Sequence, residues 1–572
     1  MRFAYHALVL DYDGTLTLGG RPAPRALEAL ARAGAAGRKR VLATGRILSE
    51  LQAEFPDVES HFDALVLENG AVVRTALGHR LTMAPVPTEL DAALRSAGVA
   101  FRRGEAILAT DAGAATAALE AIGRLGLDCQ LVRNRGELMI LPAGVSKGMG
   151  AREALGDLGV SFHCAIGAGD AENDLALLDA CEVGVAVANA VGALKARADV
   201  VLGETDGAAI ATLVDGALVR GELSIRPKRW QVELGAGARV PGSGVNLLIA
   251  GESGCGKSHL AGMFAERLIQ LGYSICVIDP EGDYESLAHL RGVRVVGGSH
   301  ELPEPGELPA LLRHRFGSLV VDLSHLPPAA RLPYQRAALA VLQAEREATG
   351  SPHWTLVDEA HVAFAADGGA PPVDPAQKGL CLVTYLPGQL DPRVLEGTDL
   401  FLFPLSPGGA ADPEMLALAG ARPPPKPSGA GRHAVLVDGR GGEPVTFELL
   451  GRRSAHVRHW HKYMRAQLPA HLQFLFRAPN GQVLGAAGNV SELHHDLVGV
   501  SGASIAHHAA AGDFSRWAGE ALQDTELAEA LARAEQRLSF GTEAARHALL
   551  EAVEQRYLER GPQAPPRLGS AG

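Results

Sequence analysis

Two separate stretches of the chain alternate short apolar runs with segments rich in Ala and Leu. The first stretch covers residues 1–215, and the second begins near Val245. The apolar runs lie at residues 7–10, 40–43, 65–67, 164–166 and 183–187 in the first stretch, and at residues 246–250, 274–278, 318–322, 355–358, 380–384 and 400–404 in the second. Such alternation is typical of βαβ units, in which parallel strands form a sheet covered by helices. We therefore predict an α/β fold with two largely parallel, doubly wound sheets.

The segments around these two stretches divide the chain further. A length of 572 residues predicts about three or four domains. We expect a first α/β domain at residues 1–215, a linker with an edge strand at 216–244, a second α/β domain at 245–450, a small, mostly helical α+β domain at 451–560 and a flexible tail at 561–572.

Charge and cysteine usage exclude several classes of protein. The chain has 53 Lys and Arg against 65 Asp and Glu, a net charge of −12, so no overall basic field attracts nucleic acid or an anionic membrane. The six cysteines show no CxxC spacing, which argues against a disulfide framework or a zinc cluster and fits a reducing compartment. No apolar run approaches the roughly 18 residues of a membrane span. We expect a cytoplasmic protein with no membrane partner.

Polar motifs follow the apolar runs of the first stretch. DYDGT begins at Asp11, VLATGR contains Thr44, GVSKG contains Lys147, and GDAEND runs from Gly169 to Asp174 and contains Asp170. In doubly wound folds, ligands bind at the carboxyl ends of the strands, where DYDGT, VLATGR and GDAEND are placed. In order and spacing the four motifs resemble those of the haloacid dehalogenase-like (HAD) phosphatases.

Phosphoryl transfer from a monoester needs a nucleophile, a proton donor for the departing alkoxide and positive charge near the anionic oxygens. The resemblance implies that Asp11 is the nucleophile, which forms an aspartyl-phosphate, and that Asp13 is first the general acid and then the general base. It also implies that Thr44 donates a hydrogen bond to the phosphoryl oxygens. Lys147 would neutralise the charge on the nucleophile and the phosphate.

The same motifs imply a metal ion. Mg²⁺ prefers octahedral oxygen ligands and retains waters. The expected ligands are Asp11, the backbone carbonyl of Asp13 and Asp170, with Asp174 supporting them. We therefore expect Mg²⁺ as a cofactor and a small phosphorylated metabolite as the substrate.

The long stretch between Glu68-Asn69-Gly70 and Lys147 resembles HAD subfamily IIB, in which an α/β cap is inserted between the second and third motifs. This resemblance implies a cap at about residues 82–141. Within the subfamily, the short cap and the SKG context of Lys147 are most similar to archaeal-type phosphoglycolate phosphatases and sucrose-phosphatase-like enzymes. Caps select the substrate in this superfamily.

The second stretch carries a P-loop. The segment GESGCGKS fits the pattern GxxxxGK[ST] and lies between an apolar run and a helical stretch. Its residues are Gly251, Glu252, Ser253, Gly254, Cys255, Gly256, Lys257 and Ser258. Backbone amides of such a loop bind phosphates, Lys257 is expected at the β- and γ-phosphates, and Ser258 is expected to bind Mg²⁺. The pattern predicts an ATP site.

A second motif completes this predicted site. The apolar run at 355–358 ends in Asp358, expected at the metal's water shell, and Glu359 follows as the catalytic residue that polarises the attacking water. The segment DPEGDY, which begins at Asp279, and VVDLS around Asp322 resemble the HerA/FtsK-like ATPases over roughly residues 230–410. The chain departs from that family at Tyr385, where a Gln usually acts as the γ-phosphate sensor. This departure bears on hydrolysis and not on nucleotide binding.

The last part of the chain is less informative. Residues 452–465 are rich in Arg, Lys and His, a composition compatible with phosphate or nucleic acid. We favour instead an interface with the second domain, with Trp460 and Tyr463 buried. The segment after His507 resembles a small uncharacterised bacterial domain found beside ATPases, which implies no mechanism.

Three functions are compatible with the sequence. We favour a Mg²⁺-dependent phosphomonoester hydrolase fused to an ATP-binding, ATP-hydrolysing regulatory module. The first alternative is a HerA/FtsK-like ATPase that acts on DNA as a homo-oligomer, with an auxiliary phosphatase domain; the acidic net charge argues against it. The second alternative is a nucleotide-binding sensor; the complete set Asp11, Asp13, Lys147 and Asp170 argues against it.

Overall fold

The computed structural model describes residues 5–17, 20–134, 136–252, 255–313, 317–405, 412–424, 427, 431–452, 468, 472–522 and 524–558. Helices and strands alternate through most of this part of the chain, and the fold is α/β, as predicted. None of the described helices is long and apolar enough to cross a membrane.

The first domain is built around an eight-stranded sheet with helices packed against it. Its strands, together with those of the inserted cap, are β1 Ala7–Asp11, β2 Lys39–Ala43, β3 Ala64–Leu67, β4 Val72–Thr75, β5 Gly78–Leu81, β6 Phe101–Arg103, β7 Leu108–Asp111, β8 Cys129–Asn134, β9 Glu137–Pro142, β10 Ala165–Gly169, β11 Val183–Ala186 and β12 Val200–Val201. The helices are α1 Pro24–Ala35, α2 Leu48–Glu54, α3 Val58–His61, α4 Glu89–Ser96, α5 Ala115–Leu125, α6 Lys147–Asp157, α7 Leu175–Asp179, α8 Gly192–Arg197 and α9 Asp206–Val214.

The order of the sheet is β12-β11-β10-β1-β2-β3-β4-β5, parallel from β12 to β3 and antiparallel beyond. The central strands are buried on both faces, which explains why their sequences are continuous apolar runs. Leu10 of β1 pairs in register with Leu42 and Ala168, so the loops that follow β1, β2 and β10 meet at one edge of the sheet.

The cap is a separate small layer. Its antiparallel sheet has the order β6-β7-β9-β8 and packs against α4 and α5 through its own apolar core, which includes Leu90, Leu94, Leu108, Ile122 and Ile140. The cap can therefore be positioned relative to the sheet by a small number of contacts.

The segment after the first domain forms a hairpin, β13 Gln231–Gly235 and β14 Ala238–Pro241, where one edge strand was predicted. The two strands pair only with each other within the described residues, apart from a bridge between Gly235 and Leu449. Val232, Leu234 and Val240 bury their side chains in the core of the second domain, because the hairpin is apolar on one face.

The second domain has a nine-stranded sheet in the order β17-β18-β16-β19-β20-β15-β21-β22-β23, parallel as far as β21. Its strands are β15 Leu247–Ala250, β16 Ile275–Asp279, β17 Val293–Gly297, β18 Ser318–Asp322, β19 Trp354–Val357, β20 Leu380–Thr384, β21 Leu400–Pro404, β22 His433–Asp438 and β23 Val445–Glu448. Its helices are α10 Lys257–Gln270, α11 Leu308–Arg313, α12 Pro328–Thr349, α13 Ala360–Ala363, α14 Pro392–Glu396 and α15 Pro413–Leu418.

The C-terminal part combines a hairpin, β24 Phe474–Arg477 and β25 Val483–Ala487, with helices. They are α16 Val490–Gly499, α17 Gly502–Ala511, α18 Asp513–Glu520, α19 Thr525–Glu535 and α20 Thr542–Val553. Helical structure begins at Val490, where Asn489 caps α16 by accepting a hydrogen bond from the amide of Glu492 at 2.8 Å.

Candidate functional site

The acidic residues of the first and fourth motifs meet Lys147 at the carboxyl ends of β1 and β10. Lys147 Nζ donates to Asp11 Oδ1 at 2.5 Å and to Asp174 Oδ1 at 2.7 Å. One carboxylate oxygen from each of Asp11, Asp170 and Asp174 lies within 4.8 Å of the others. All four side chains are buried. The cluster therefore brings three carboxyl groups and one ammonium together, away from water.

The local electrostatics of this cluster favour an additional cation. Burial, and then the charge of Asp174, raise the pKa of Asp11 well above its usual value, although Lys147 acts in the opposite direction. Burial disfavours the charge of Lys147, but Asp11 and Asp174 outweigh it and raise the pKa of Lys147. A cation beside these carboxyl groups would favour their ionised forms. Buried carboxylate oxygens are ligands that suit a hard divalent ion such as Mg²⁺.

Asp174 contributes charge to the cluster and also fixes its geometry through hydrogen bonds. Its Oδ2 accepts hydrogen bonds from the backbone amides of Asp170 at 2.9 Å and Ala171 at 3.0 Å, which shapes the turn after β10. Thr15 Oγ1 donates to Asp170 Oδ1 at 3.3 Å and so connects this turn to the loop after β1. Asp174 thus positions both Lys147 and the loop that carries Asp170.

Asp13 and Thr44 lie beside Arg46, to which we assigned no role from the sequence. Arg46 Nε and Nη2 donate to the two carboxylate oxygens of Asp13 at 2.7 and 2.8 Å. Arg46 also pairs with Glu54 at 2.9 Å. The hydroxyl of Thr44, which is buried, accepts a hydrogen bond from the amide of Arg46 at 3.2 Å. The structure thus places the Asp13 side chain against a guanidinium.

The turn after β3 ties the cap to the sheet. The carboxylate of Glu68 accepts hydrogen bonds from the amides of Glu105 at 2.8 Å, Ala106 at 2.8 Å and Ile107 at 3.1 Å, all in the cap. A Cβ at Gly104 would lie 2.4 Å from Glu68 Oε1, so the close approach requires a glycine there. The sequence showed a motif at Glu68, but it did not indicate that the carboxylate of Glu68 accepts hydrogen bonds from amides of the cap.

The described part of the P-loop leads into α10. Ser253 and Gly254 lie outside the described residues, whereas Gly251, Glu252, Cys255 and Gly256 precede the helix, and Lys257 and Ser258 are its first residues. Gly256 has φ 103°, a conformation that favours glycine. Lys257 Nζ donates to the carbonyl oxygen of Glu252 at 2.7 Å.

The other predicted nucleotide-site residues come to the same edge of the sheet. Strand β20 lies between β15 and β19, so Tyr385, after β20, lies between the P-loop and the Asp358–Glu359 pair, after β19. Lys257 Nζ lies 5.9 Å from the centre of the Tyr385 ring. His361 packs edge-on against this ring at 4.8 Å, and its Nδ1 is 3.0 Å from Thr384 Oγ1.

Asp358 is held by the DPEGDY segment. Tyr284 OH donates to Asp358 Oδ2 at 3.0 Å, and Asp279 accepts the amides of Gly282 at 2.8 Å and Tyr284 at 2.9 Å. Burial, and then Asp283 and Glu359, raise the pKa of Asp358 to about 7. The segment therefore positions the acidic group, a role that its sequence alone did not indicate.

One described residue of the basic C-terminal stretch is packed inside the protein. The side chain of Arg452 is buried; its Nε donates to Glu266 of α10 at 3.0 Å, and its Nη2 lies 3.2 Å from Ser286 Oγ. The rest of that stretch, including Trp460 and Tyr463, lies outside the described residues.

Three family profiles match different parts of the chain. The profile of haloacid dehalogenase-like hydrolases matches residues 8–90 and 129–214. The profile of the central domain of helicase HerA matches residues 246–329, and a family of unknown function matches residues 483–566. The first two agree with the resemblances of the motifs.

Known proteins match the first domain in particular. The phosphoglycolate phosphatase of Halorubrum lacusprofundi is 33% identical over 225 residues, which are 93% of that protein and 35% of this chain. Phosphoglycolate phosphatase 2 of Saccharolobus solfataricus is 40% identical over 88 residues; this match spans only 36% of its length and 15% of this chain. A solved HAD subclass IIB sugar phosphatase is 21% identical, with a TM-score of 0.32, and the match covers 99% of it and 38% of this chain.

Proposed function

The chain belongs to the haloacid dehalogenase-like hydrolases, and from this premise we propose that its first domain is a Mg²⁺-dependent phosphomonoester hydrolase of the subfamily IIB type. The observation that carries the proposal is the Lys147 ammonium, 2.5 Å from Asp11 and 2.7 Å from Asp174, with Asp170 in the same cluster. A buried carboxylate at a strand end, fixed by a cation, is a nucleophile held in place.

In the proposed reaction, a carboxylate oxygen of Asp11 attacks the phosphorus, and the bond from phosphorus to the ester oxygen breaks. The departing alkoxide takes a proton from Asp13, which must first turn away from Arg46. Asp13 then accepts a proton from a water molecule that attacks the phosphorus, which releases phosphate and restores the Asp11 carboxylate. Lys147 offsets negative charge throughout, and Thr44 donates a hydrogen bond to the phosphoryl oxygens.

Asp11, Asp170 and the backbone carbonyl of Asp13 would hold the metal, with Asp174 behind them. When bound, Mg²⁺ supplies positive charge to the phosphoryl oxygens. We propose a small phosphorylated metabolite as the substrate. Because two relatives are named phosphoglycolate phosphatases, phosphoglycolate is the first compound to assay.

We propose that the second domain binds and hydrolyses ATP and regulates the first. Support comes from the P-loop residue Lys257 and the Asp358–Glu359 pair, which follow strands β15 and β19 at the same sheet edge, and from the match to the HerA central domain. A DNA-acting assembly of several copies is the alternative, and a stable hexamer on addition of ATP would favour it.

The phosphatase proposal is tested by Asp11→Asn. An amide cannot form the acyl-phosphate, so hydrolysis of phosphoglycolate and of p-nitrophenyl phosphate should fall at least a thousandfold, on the order expected for loss of a nucleophile. EDTA should silence the wild type, and Mg²⁺ should restore it. Asp128→Asn, an exposed position in the cap, is the matched control and should keep full activity. Activity of Asp11→Asn within tenfold of the wild type would end the assignment.

A further inference from the structure

A cavity of about 100 Å³ lies between the first and second domains, away from both sites described above. Tyr5, His163 and Cys164 of the first domain line one part of it, and Tyr273, Arg346 and His353 of the second domain line another. No residue of the Asp11 cluster or of the described P-loop lines it. The cavity is thus a feature that the proposed reactions do not use.

The cavity is lined by cationic and neutral groups. Among the residues that the structure describes, no Asp or Glu lines it, whereas Arg346 and Lys378 do. Lys378 already has a partner, because its Nζ donates to Asp399 at 2.7 Å. Arg346 makes no hydrogen bond or ion pair with any described residue. The guanidinium at this domain boundary therefore lacks a counter-ion within the described chain.

Arg346 keeps its charge in this setting. Burial lowers the pKa of Arg346 to about 10, which still leaves the side chain protonated at neutral pH. Arg346 is half-buried, and an anion at hydrogen-bond distance offsets the cost of partly withdrawing its charge from water. Guanidinium groups bind phosphate and carboxylate groups through two parallel hydrogen bonds.

Most other polar groups that line the cavity already make hydrogen bonds within the protein. Tyr273 OH donates to Glu182 at 2.9 Å, and Ser243 also bonds to Glu182. His353 accepts the amide of Ser274 at 2.8 Å, and its other ring nitrogen lies 3.0 Å from Ser161 Oγ. The hydroxyl of Tyr5 makes no hydrogen bond with a described residue. Arg346 and Tyr5 thus leave donors for a ligand, one from each domain.

We propose that this cavity binds one phosphate ion, held by the guanidinium of Arg346 and the hydroxyl of Tyr5, and that the ion strengthens the docking of the two domains. The available space is far below the roughly 300–1,000 Å³ of ordinary ligand pockets, so a nucleotide does not fit. An ion that contacts both domains stabilises their docked arrangement, because it binds that arrangement best.

The test is a calorimetric titration of inorganic phosphate into the full chain carrying Lys257→Ala, in the presence of EDTA. These conditions weaken binding at the P-loop and remove metal from the Asp11 cluster. We expect one phosphate per chain, and we expect Arg346→Gln in the same background to weaken binding at least tenfold. Equal affinity in Arg346→Gln, or no binding in the parent, would overturn the proposal. Neither result depends on phosphatase activity, so failure of this proposal can be distinguished from failure of the proposed function, which is tested by hydrolysis.

Arg336→Gln is the matched control, because Arg336 lies on the same helix and bonds to the carbonyl oxygens of Ala363 and Ala370 instead of facing the cavity. It should bind phosphate as the parent does. Thermal melting under the same conditions adds a second readout: phosphate at 100 times the Kd of the parent should raise the Tm of the Lys257→Ala parent by a few degrees, and adding Arg346→Gln should reduce that shift to about half or less. If Arg346→Gln does not fold, Arg346→Lys should fold and bind with reduced affinity; full affinity there would also contradict the bidentate contact.

Discussion

Tyr385 stands at the end of β20, between the P-loop and Asp358, with its ring 5.9 Å from Lys257 Nζ. A phenol at this position offers an aromatic face to the ammonium, an arrangement that is favourable in the absence of ATP. It does not offer the amide that orients water in related reactions. The single side chain is therefore expected to limit the rate of hydrolysis more than the binding of ATP.

We predict that Tyr385→Gln raises ATP turnover on the order of tenfold or more, because the amide can hydrogen-bond both water and phosphate. Phosphate release from ATP measures this, in the Asp11→Asn background so that the first domain makes no contribution. Adding Lys257→Ala should return turnover to the background, since it removes the cation expected at the β- and γ-phosphates. An unchanged or lower rate in Tyr385→Gln would contradict the idea that Tyr385 limits hydrolysis.

At the scale of elements, the cap is tied to the sheet by the turn that follows β3. Glu68 in this turn has φ 52°, and its carboxylate accepts three amides from cap residues 105–107. Hydrogen bonds to a charged group are stronger than neutral ones, and their loss leaves buried amides without acceptors. One carboxylate therefore sets much of the orientation of a complete antiparallel sheet.

Glu68→Ala should lower the free energy of unfolding by about 2–3 kcal/mol and raise KM for the phosphate ester, because a loosened cap no longer holds the substrate. Chemical denaturation and steady-state kinetics measure the two effects. Glu89→Ala is the matched control in the cap: Glu89 is exposed, and the change should stay within about 0.5 kcal/mol. Wild-type stability together with wild-type KM in Glu68→Ala would refute the tether.

At the scale of the whole molecule, a buried carboxylate joins the two large domains. Glu182 of the first domain is fully buried; it accepts a hydrogen bond from Tyr273 OH and lies 2.5 Å from His163 Nδ1. His163 Nε2 lies 3.0 Å from the carbonyl oxygen of Leu271. Helix α10 runs from Lys257 towards Leu271, and α7 follows Asp174 towards Glu182. Each site is thus followed by a helix that leads towards this interface.

We predict that a non-hydrolysable ATP analogue changes the phosphatase rate of the wild type and that Tyr273→Phe brings the ratio of the two rates towards one. The change removes the hydroxyl and leaves the ring stacked on His163, at 3.6 Å between centres. Coupling of this kind is typically worth about 1–3 kcal/mol.

The matched control for coupling is Tyr334→Phe, which loses a hydrogen bond to Pro303 within the second domain and should keep the effect of the analogue. Equal rates with and without the analogue in the wild type would show that the domains are joined without kinetic communication. A full effect in Tyr273→Phe would show that communication takes another path.

The local pattern of the chain determined the fold class and many elements. Strands β18, β20 and β21 have the predicted bounds, because apolar periodicity and strand-ending motifs are properties of neighbouring residues. The same reasoning predicted which residues would gather at the ends of parallel strands, since in-register pairing brings those ends together. This reasoning placed Asp11 and Asp170 together, whereas the roles of Lys147 and Asp174 were implied by the resemblance to HAD phosphatases; the structure brings all four side chains together.

Only the tertiary structure decided several other contacts between distant residues. The hairpin at β13 and β14 was predicted as one edge strand, because its apolar face is defined only by the core that it covers. The pairing of Glu68 with the cap, of Asp13 with Arg46 and of Tyr284 with Asp358 joins residues far apart in sequence. Nothing in the sequence around Arg346 indicates that it lines a cavity together with residues of the first domain. A sequence pattern records the faces of single elements, whereas partners and cavities arise from how those faces pack against one another.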